Sequence, residues 1–160
     1  MPSVEFVTKC PKNVNRIFEK CYEEELQEDS DTLQHLYLQG RGMWMYVDRA
    51  LVGETIGIAP SRAPEPVEDT KPWAKEENNK SCLYIWTTTI LPQHQGRGFA
   101  KLLCAYYAGY MKALGFQLLI GHATSDSMRG IRAWMGADFT VEHDNWRGSK
   151  KKAVFYVQNL

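Results

Sequence analysis

Gly96 and Gly98 stand between an apolar, β-branched run and a stretch with apolar residues at helical spacing, with Arg97 and Lys101 beside them. A strand that turns through glycines into a helix leaves several backbone N–H groups unpaired and aims the positive end of the helix at one point. Such a point attracts anions. A pyrophosphate suits it well, because glycine places no side chain between the phosphates and the amides. Two well-known cradles are excluded by the spelling: GxGxxG would need a third glycine at Lys101, and GxxxxGK[ST] is absent.

The four cysteines, Cys10, Cys21, Cys82 and Cys104, have no CxxC pairing and no accompanying histidine spacing, so no metal site is expected. Nothing near them in sequence lowers a thiol pKa, which favours reduced, partly buried thiols over a nucleophile. Net charge is zero but unevenly spread: residues 1–81 carry 10 Lys+Arg against 15 Asp+Glu, and residues 82–160 carry 9 against 4. No acidic residue falls between Asn78 and Ser125, a segment holding Lys80, Arg97, Lys101 and Lys112. An anion is at ease there, although a buried segment is poor in carboxylates for its own reasons.

Periodicity supplies the elements that position the turn. Val4–Val7 reads as a strand, and Val14, Ile17, Phe18, Cys21 and Leu26 as the apolar face of a helix capped near Asn13. A shorter helix capped by Ser30 or Asp31 carries Leu33, Leu36 and Tyr37 and ends at Gly40 and Gly42. Met43–Val47 and Leu51–Ile58 form a hairpin about Asp48-Arg49-Ala50. Residues 59–81, with Pro60, Pro64, Pro66 and Pro72, fit neither period and read as a long surface loop. Leu83–Leu91 (LYIWTTTIL) is the strongest strand, and Pro92 ends it. Past the glycine turn come a helix to Gly115, a buried strand Phe116–Ile120, a helix from Ser125 or Asp126 to Met135, and a final strand pair, Phe139–Glu142 and Ala153–Val157.

The turn Gln95-Gly96-Arg97-Gly98-Phe99-Ala100 resembles the acetyl-coenzyme A motif of the GNAT acetyltransferase family, [RQ]xxGx[GA], at every fixed position, with Pro92 just upstream as is frequent there. The order of elements is similar to that family's over nearly the whole chain. The resemblance implies an α/β (α+β) fold: a central mixed, mostly antiparallel sheet of six to seven strands flanked by about four helices. It implies one domain spanning residues 1–160, with 59–81 as a loop insertion. It also implies that Gln95, Gly96, Arg97, Gly98, Phe99, Ala100 and Lys101 hold the cofactor pyrophosphate. The strand end at Thr88, Thr89 and Ile90 would pair with the pantetheine arm, much as a peptide adds to a sheet edge. The reaction would lie in a gap between the strand ending at Leu91 and the one ending near Gly121.

Attack of an amine on a thioester needs a neutral amine, a stabilised oxyanion and a leaving thiolate that can depart. Where the family commonly has a tyrosine to protonate that thiolate, this chain has Arg132, which is no proton donor at neutral pH. The usual cofactor-contacting asparagine corresponds to Ser125, and a glutamate used by some members corresponds to Tyr84. The catalytic candidates are His122, a base at the end of the fifth strand; Tyr84, as the acid; and Glu54, on the strand beside. Water as the proton carrier, with catalysis by positioning, competes with all three. Trp73 and Trp146, in loops, are the tryptophans expected to meet substrate, whereas Trp44, Trp86 and Trp134 are expected in the core.

The expected activity is transfer of acetyl from acetyl-CoA to a primary amine of a small molecule or a protein. Two other readings fit the same residues. One is acetylation of aminoacyl-tRNA by a toxin-like member, with Arg147 and Lys150-Lys151-Lys152 contacting phosphates; the other is a non-catalytic CoA-binding regulatory module. Composition, 44% apolar and 24% charged, is that of a soluble globular protein. No stretch approaches the roughly 20 apolar residues of a membrane span, and Met1–Cys10 lacks a signal-peptide layout. A cytoplasmic protein is therefore expected, acting alone or as a homodimer and without a membrane partner.

Overall fold

A computed structural model gives the structure of the chain; it describes residues 1–12, Val14, Cys21 and 28–160. The helix expected over residues 13–26 lies almost wholly outside the described residues. Among the described residues, seven strands form one mixed sheet in the order β1-β2-β3-β4-β5-β7-β6. They are β1 (Val4–Val7), β2 (Arg41–Val47), β3 (Ala50–Ile58), β4 (Cys82–Ile90), β5 (Leu118–Ala123), β6 (Asp138–His143) and β7 (Ala153–Asn159). Strands β4 and β5 run parallel; the other neighbouring pairs are antiparallel. The described α-helices are α1 (Ser30–Gln39), α2 (Phe99–Ala113) and α3 (Asp126–Trp134).

Local chemistry sets these boundaries. Asp29, one residue ahead of the expected cap, accepts from the Thr32 N–H at 2.7 Å and starts α1. Asp48 and Arg49 both take positive φ, 49° and 68°, which matches the twist of a two-residue hairpin between β2 and β3. Fifth-strand pairing starts later than its apolar run suggests, so His122 lies inside β5 rather than beyond it.

Both sheet faces are covered. Leu83, Ile85, Ile90, Leu103, Tyr107, Met111 and Leu119 pack beneath α2, while Leu36, Trp44, Ile56, Ile58 and Leu91 pack on the opposite face with α1. Tyr107 fastens α2 to the sheet: its buried hydroxyl accepts from Gly57 N–H (3.1 Å) and donates to Arg41 C=O (2.7 Å). A Cβ at Gly57 would stand 2.6 Å from that hydroxyl, so glycine is required for the contact.

Two irregularities in β4 open the sheet. Gly57 pairs with Ile85 and Ile56 with Thr87, so Trp86 is an extra residue, a bulge. Beyond it the alternation is re-phased: Thr88 faces the α2 side with Thr55, while Thr87 and Thr89 turn to the other. In addition, β4 pairs with β5 only over Cys82–Ile85 against Leu118–Gly121. Past that point the two strands part, and residues 86–90 have β3 on one side and a gap on the other.

Candidate active site

The gap opens into a cleft of about 290 Å³ that crosses the sheet. Ser125, Met128, Arg132 and Tyr156 line it on the helix side; Glu28, Glu65, Trp86, His122, Trp146 and Arg147 line it on the other. Thr88 and Ser125 are shared with a second groove of about 380 Å³ that runs along Ile90, His94 and the glycine turn to Ile131. The two hollows therefore adjoin at Thr88 and Ser125, between the start of α2 and the gap in the sheet.

The turn is built as a cradle. Gly96 and Gly98 take φ of +73° and +83°, which residues with a Cβ adopt at a cost, and nothing lies within 4 Å of where either Cβ would be. Gln95 lines the groove. Its backbone N–H is directed to Pro92 C=O at 3.3 Å, and its side chain donates to Ile90 C=O at 2.9 Å, so it ties the turn to β4. Arg97 leans over the Phe99 ring (5.0 Å) and does not line the groove; Lys101 does, with its ammonium 3.9 Å from the Trp134 ring centre. Ser125 caps α3 by accepting from Met128 N–H (3.1 Å). Thr88 and Ile90 line the groove, whereas Thr89 is buried on the opposite face, in register with Glu54. Among the described residues, no carboxylate lines the groove.

His122 and Tyr84 come together across the splitting strands. Tyr84 Oη lies 2.9 Å from His122 Nδ1, and His122 Nε2 lies 2.7 Å from Asp69 Oδ2. The same carboxylate oxygen is 2.6 Å from His143 Nε2. Burial works against ionisation of Asp69, but the hydrogen bonds and charge of the two histidines outweigh it and hold its carboxyl below the usual range. An ionised carboxylate only accepts, so both Nε2 atoms carry protons, and His122 Nδ1 is the lone pair that accepts from Tyr84 O–H. Burial pulls His122 below its ordinary pKa, with Asp69 opposing, and pushes the Tyr84 phenol well up. The Trp146 ring stacks on His122 with centroids 3.9 Å apart.

Asp69, His122 and His143 are also metal-ligating types, the one such trio among the described residues. A tetrahedral ion bonded at about 2.0–2.1 Å would hold its ligand atoms more than ~3 Å apart. Contacts of 2.6–2.7 Å are direct hydrogen bonds and leave no place for an ion between the atoms.

The loop 59–81 carries Asp69 into place. It forms three short 3-10 turns, and Val67 and Trp73 pack on Tyr84, Ile120 and Phe155. Trp73 is thus part of the packing, 5.8 Å from the Phe155 ring, and not a lining residue of the cleft. Trp146 does line it, and so does Trp86, expected in the core, whose Nε1 donates to Glu28 at 2.9 Å. Arg147 pairs with Glu28 (2.7 Å) and Glu65 (3.1 Å), which engages the charge that the tRNA reading assigned to phosphates.

Glu54 is placed away from the cleft. It is 1% exposed and accepts from Trp44 Nε1 at 2.9 Å, and burial pushes its carboxyl up to about 7. Arg132, opposite in character to the expected tyrosine, is 2% exposed and lines the cleft with its guanidinium 4.9 Å from the Tyr156 ring. Sequence reasoning missed Asp69, His143, Tyr156 and Glu28. For Asp69 the one available signal was the length of its loop.

Residues 12–137 match the acetyltransferase (GNAT) family, and the chain belongs to it. Solved structures similar in fold include Arabidopsis thaliana Naa50 in complex with the bisubstrate analogue CoA-Ac-MVNAL, 12% identical over 99% of each chain with a TM-score of 0.70. A Bacillus subtilis acetyltransferase in complex with CoA is 12% identical over 100% of this chain and 99% of that one, TM-score 0.68. The ribosomal-protein-S18-alanine N-acetyltransferase of Escherichia coli is 9% identical over 98% and 94%, TM-score 0.71. No curated protein sequence matches the chain. Among the described residues, no helix is long and apolar enough to cross a membrane.

Proposed function

We propose that this chain acetylates a primary amine of a small molecule or a protein, with the cradle at Gly96–Ala100 as the acetyl-CoA grip and Tyr84, His122 and Asp69 as its proton relay. The observation that carries the reading is that the groove along the glycine turn adjoins the cleft lined by His122, with Thr88 and Ser125 bordering both. The groove suits a pyrophosphate: positive-φ glycines without crowding, Lys101 beside them, the first turn of α2, and no carboxylate among the described lining residues. Acetyl-CoA supplies an activated thioester when bound.

The chain's own residues do the rest. The gap edge of β4 at residues 86–90 offers backbone partners to an extended arm, and the gap sets the acceptor amine near Tyr84. Tyr84 donates its one proton to His122, so its oxygen keeps lone pairs for a proton from the amine. As Tyr84 takes that proton it passes its own to His122 Nδ1. The imidazolium that forms is stabilised by Asp69 and by the face of Trp146. Burial disfavours a free tyrosinate, so the two transfers are concerted. A cleft of about 290 Å³, walled by Glu65 and Trp146, has room for a small amine or one side chain.

Free-thiol release from acetyl-CoA with a panel of polyamines, aminoglycosides, peptides and aminoacyl-tRNA tests the reading. Turnover on the amines or peptides supports it. Coenzyme A that neither binds nor raises the melting temperature sinks it, and tight binding without turnover on any acceptor favours the regulatory module.

A further inference from the structure

Arg132 is a buried charge without a counter-charge. It is 2% exposed, and among the described residues no carboxylate forms an ion pair with it. Its Nη1 reaches Gln158 Oε1 only at 3.3 Å, and its buried Nε has no hydrogen-bond partner among the described residues. The groups that share its surroundings are neutral: Cys104 and Tyr107 from α2, Tyr156 and Gln158 from β7. A cation buried in this way is costly unless an anion joins it. Arg132 lines the cleft, so the anion can come from a ligand.

The pyrophosphate is not that anion on the function proposed above, because the cradle lies in the outer groove, which Arg132 does not line. On the same reading the cofactor's reactive end would enter the gap, whose helix-side wall includes Arg132 and Tyr156. We propose that Arg132 receives the thiolate of coenzyme A as an anion when the acyl group leaves. The amine nitrogen bonds to the carbonyl carbon, the C–S bond breaks, and its electron pair stays on sulfur. The amine proton goes through Tyr84 to His122, so sulfur takes no proton in the site and acquires one from solvent after release. A guanidinium stays charged through this step and acts by electrostatics alone, most strongly where water is excluded. The same charge already opposes the upward push of burial on the Cys104 thiol and the Tyr107 and Tyr156 phenols.

The test needs no acceptor. Coenzyme A and desulfo-coenzyme A are titrated into the full chain by calorimetry at several pH values between about 7 and 9, spanning the ordinary thiol range near 8.5. The bound thiol is followed in parallel by the ultraviolet absorbance of its thiolate. In the wild type, coenzyme A gains about tenfold in affinity over the desulfo compound across this range, and the bound thiol titrates at least about one unit below the free one. Arg132→Gln removes both effects while desulfo-coenzyme A binds within about twofold of wild type; Arg132→Lys keeps part of them. If Arg132→Gln fails to fold, the wild-type comparison alone decides. A bound thiol that titrates like the free one overturns the inference. So does malonyl-CoA binding more than tenfold tighter than acetyl-CoA in an Arg132-dependent way with no thiol shift, which would assign the charge to an acyl carboxylate. If neither coenzyme A nor its desulfo form binds, it is the acetyl-CoA reading that fails.

Discussion

Tyr84 on β4 and His122 on β5 are joined by a 2.9 Å hydrogen bond at the place where those two strands lose their pairing. The bond bridges the start of the gap, which is where the proposed proton relay would meet the acyl donor. Removing the hydroxyl tests this directly. Tyr84→Phe keeps the ring packed on Trp86 but deletes the hydroxyl proposed to take the amine proton. Its kcat is expected to fall about 100-fold, within the range for lost acid–base catalysis, with the Kd for coenzyme A unchanged. Steady-state kinetics with calorimetry check it; a fall of less than threefold removes Tyr84 from the relay.

Asp69→Asn changes the pH profile in a signed way. His122 must be neutral to accept a proton, so kcat/KM rises with pH through the His122 pKa, which burial places below 6.5. Asp69 raises that pKa against burial, so its neutralisation shifts the acid limb to lower pH and leaves a weaker base. The plateau is expected to drop at least about tenfold. A limb that moves upward, or stays in place, contradicts the relay.

Glu54 gives a stability prediction independent of catalysis. Its folded carboxyl titrates at about 7, above the ordinary 4.5, so the neutral form stabilises the fold below pH 4.5 and that contribution is lost as pH rises through 7. Glu54→Gln keeps an acceptor for Trp44 and cannot ionise. At pH 8 the variant is expected to be more stable than the parent by on the order of 3 kcal/mol, and at pH 4 nearly equal. Urea melts at the two pH values read the difference.

Gly98 precedes α2 in a left-handed conformation, φ +83°, with open space around it. Gly98→Ala therefore meets conformational cost rather than collision. Stability is expected to fall by about 1 kcal/mol, with coenzyme A affinity falling at least about tenfold because the added methyl stands in the phosphate cradle. Thermal melts and calorimetry separate the two effects.

Gly121 is the opposite case. A Cβ there would lie 2.6 Å from Tyr156 Oη, and Tyr156 is held in β7 beneath Arg132. Gly121→Ala is expected to cost about 1–3 kcal/mol by overpacking and to narrow the cleft on its helix side. A melting temperature equal to wild type would show that Tyr156 moves freely.

The glycine turn and the strand and helix beside it were legible because their signals are local. LYIWTTTIL could only be a strand, the glycines mark a turn whose dihedrals need them, and apolar residues follow at helical spacing. Of Phe99, Leu102, Leu103, Tyr106, Tyr110 and Leu114, read as the apolar face, however, Leu102, Tyr106, Tyr110 and Leu114 are exposed, and Tyr107 and Met111 take the buried side with Leu103. Strict alternation failed at Trp86, since a bulge leaves no trace in composition and exchanges the faces of every residue after it. Glu54 was expected near substrate from its strand alone, but its face packs with Trp44. Asp69 and His143 were unreadable for a different reason. They are 53 and 74 residues apart from their partners as the hydrogen bonds pair them, and Asp69 lies in a segment without periodicity, so only folding brings them together.

The path of residues 59–81 has an engineering consequence. Both ends of the segment are fixed by neighbouring antiparallel strands, β3 and β4, and it supplies Glu65 and Glu68 to the cleft and Asp69 to His122 but nothing to the groove along the glycine turn. On the function proposed above, acceptor preference can therefore be exchanged as a cassette: a replacement segment that keeps Asp69 and the seat of Val67 and Trp73 would present a new wall to the amine while the proposed grip on the acyl donor stays as it is.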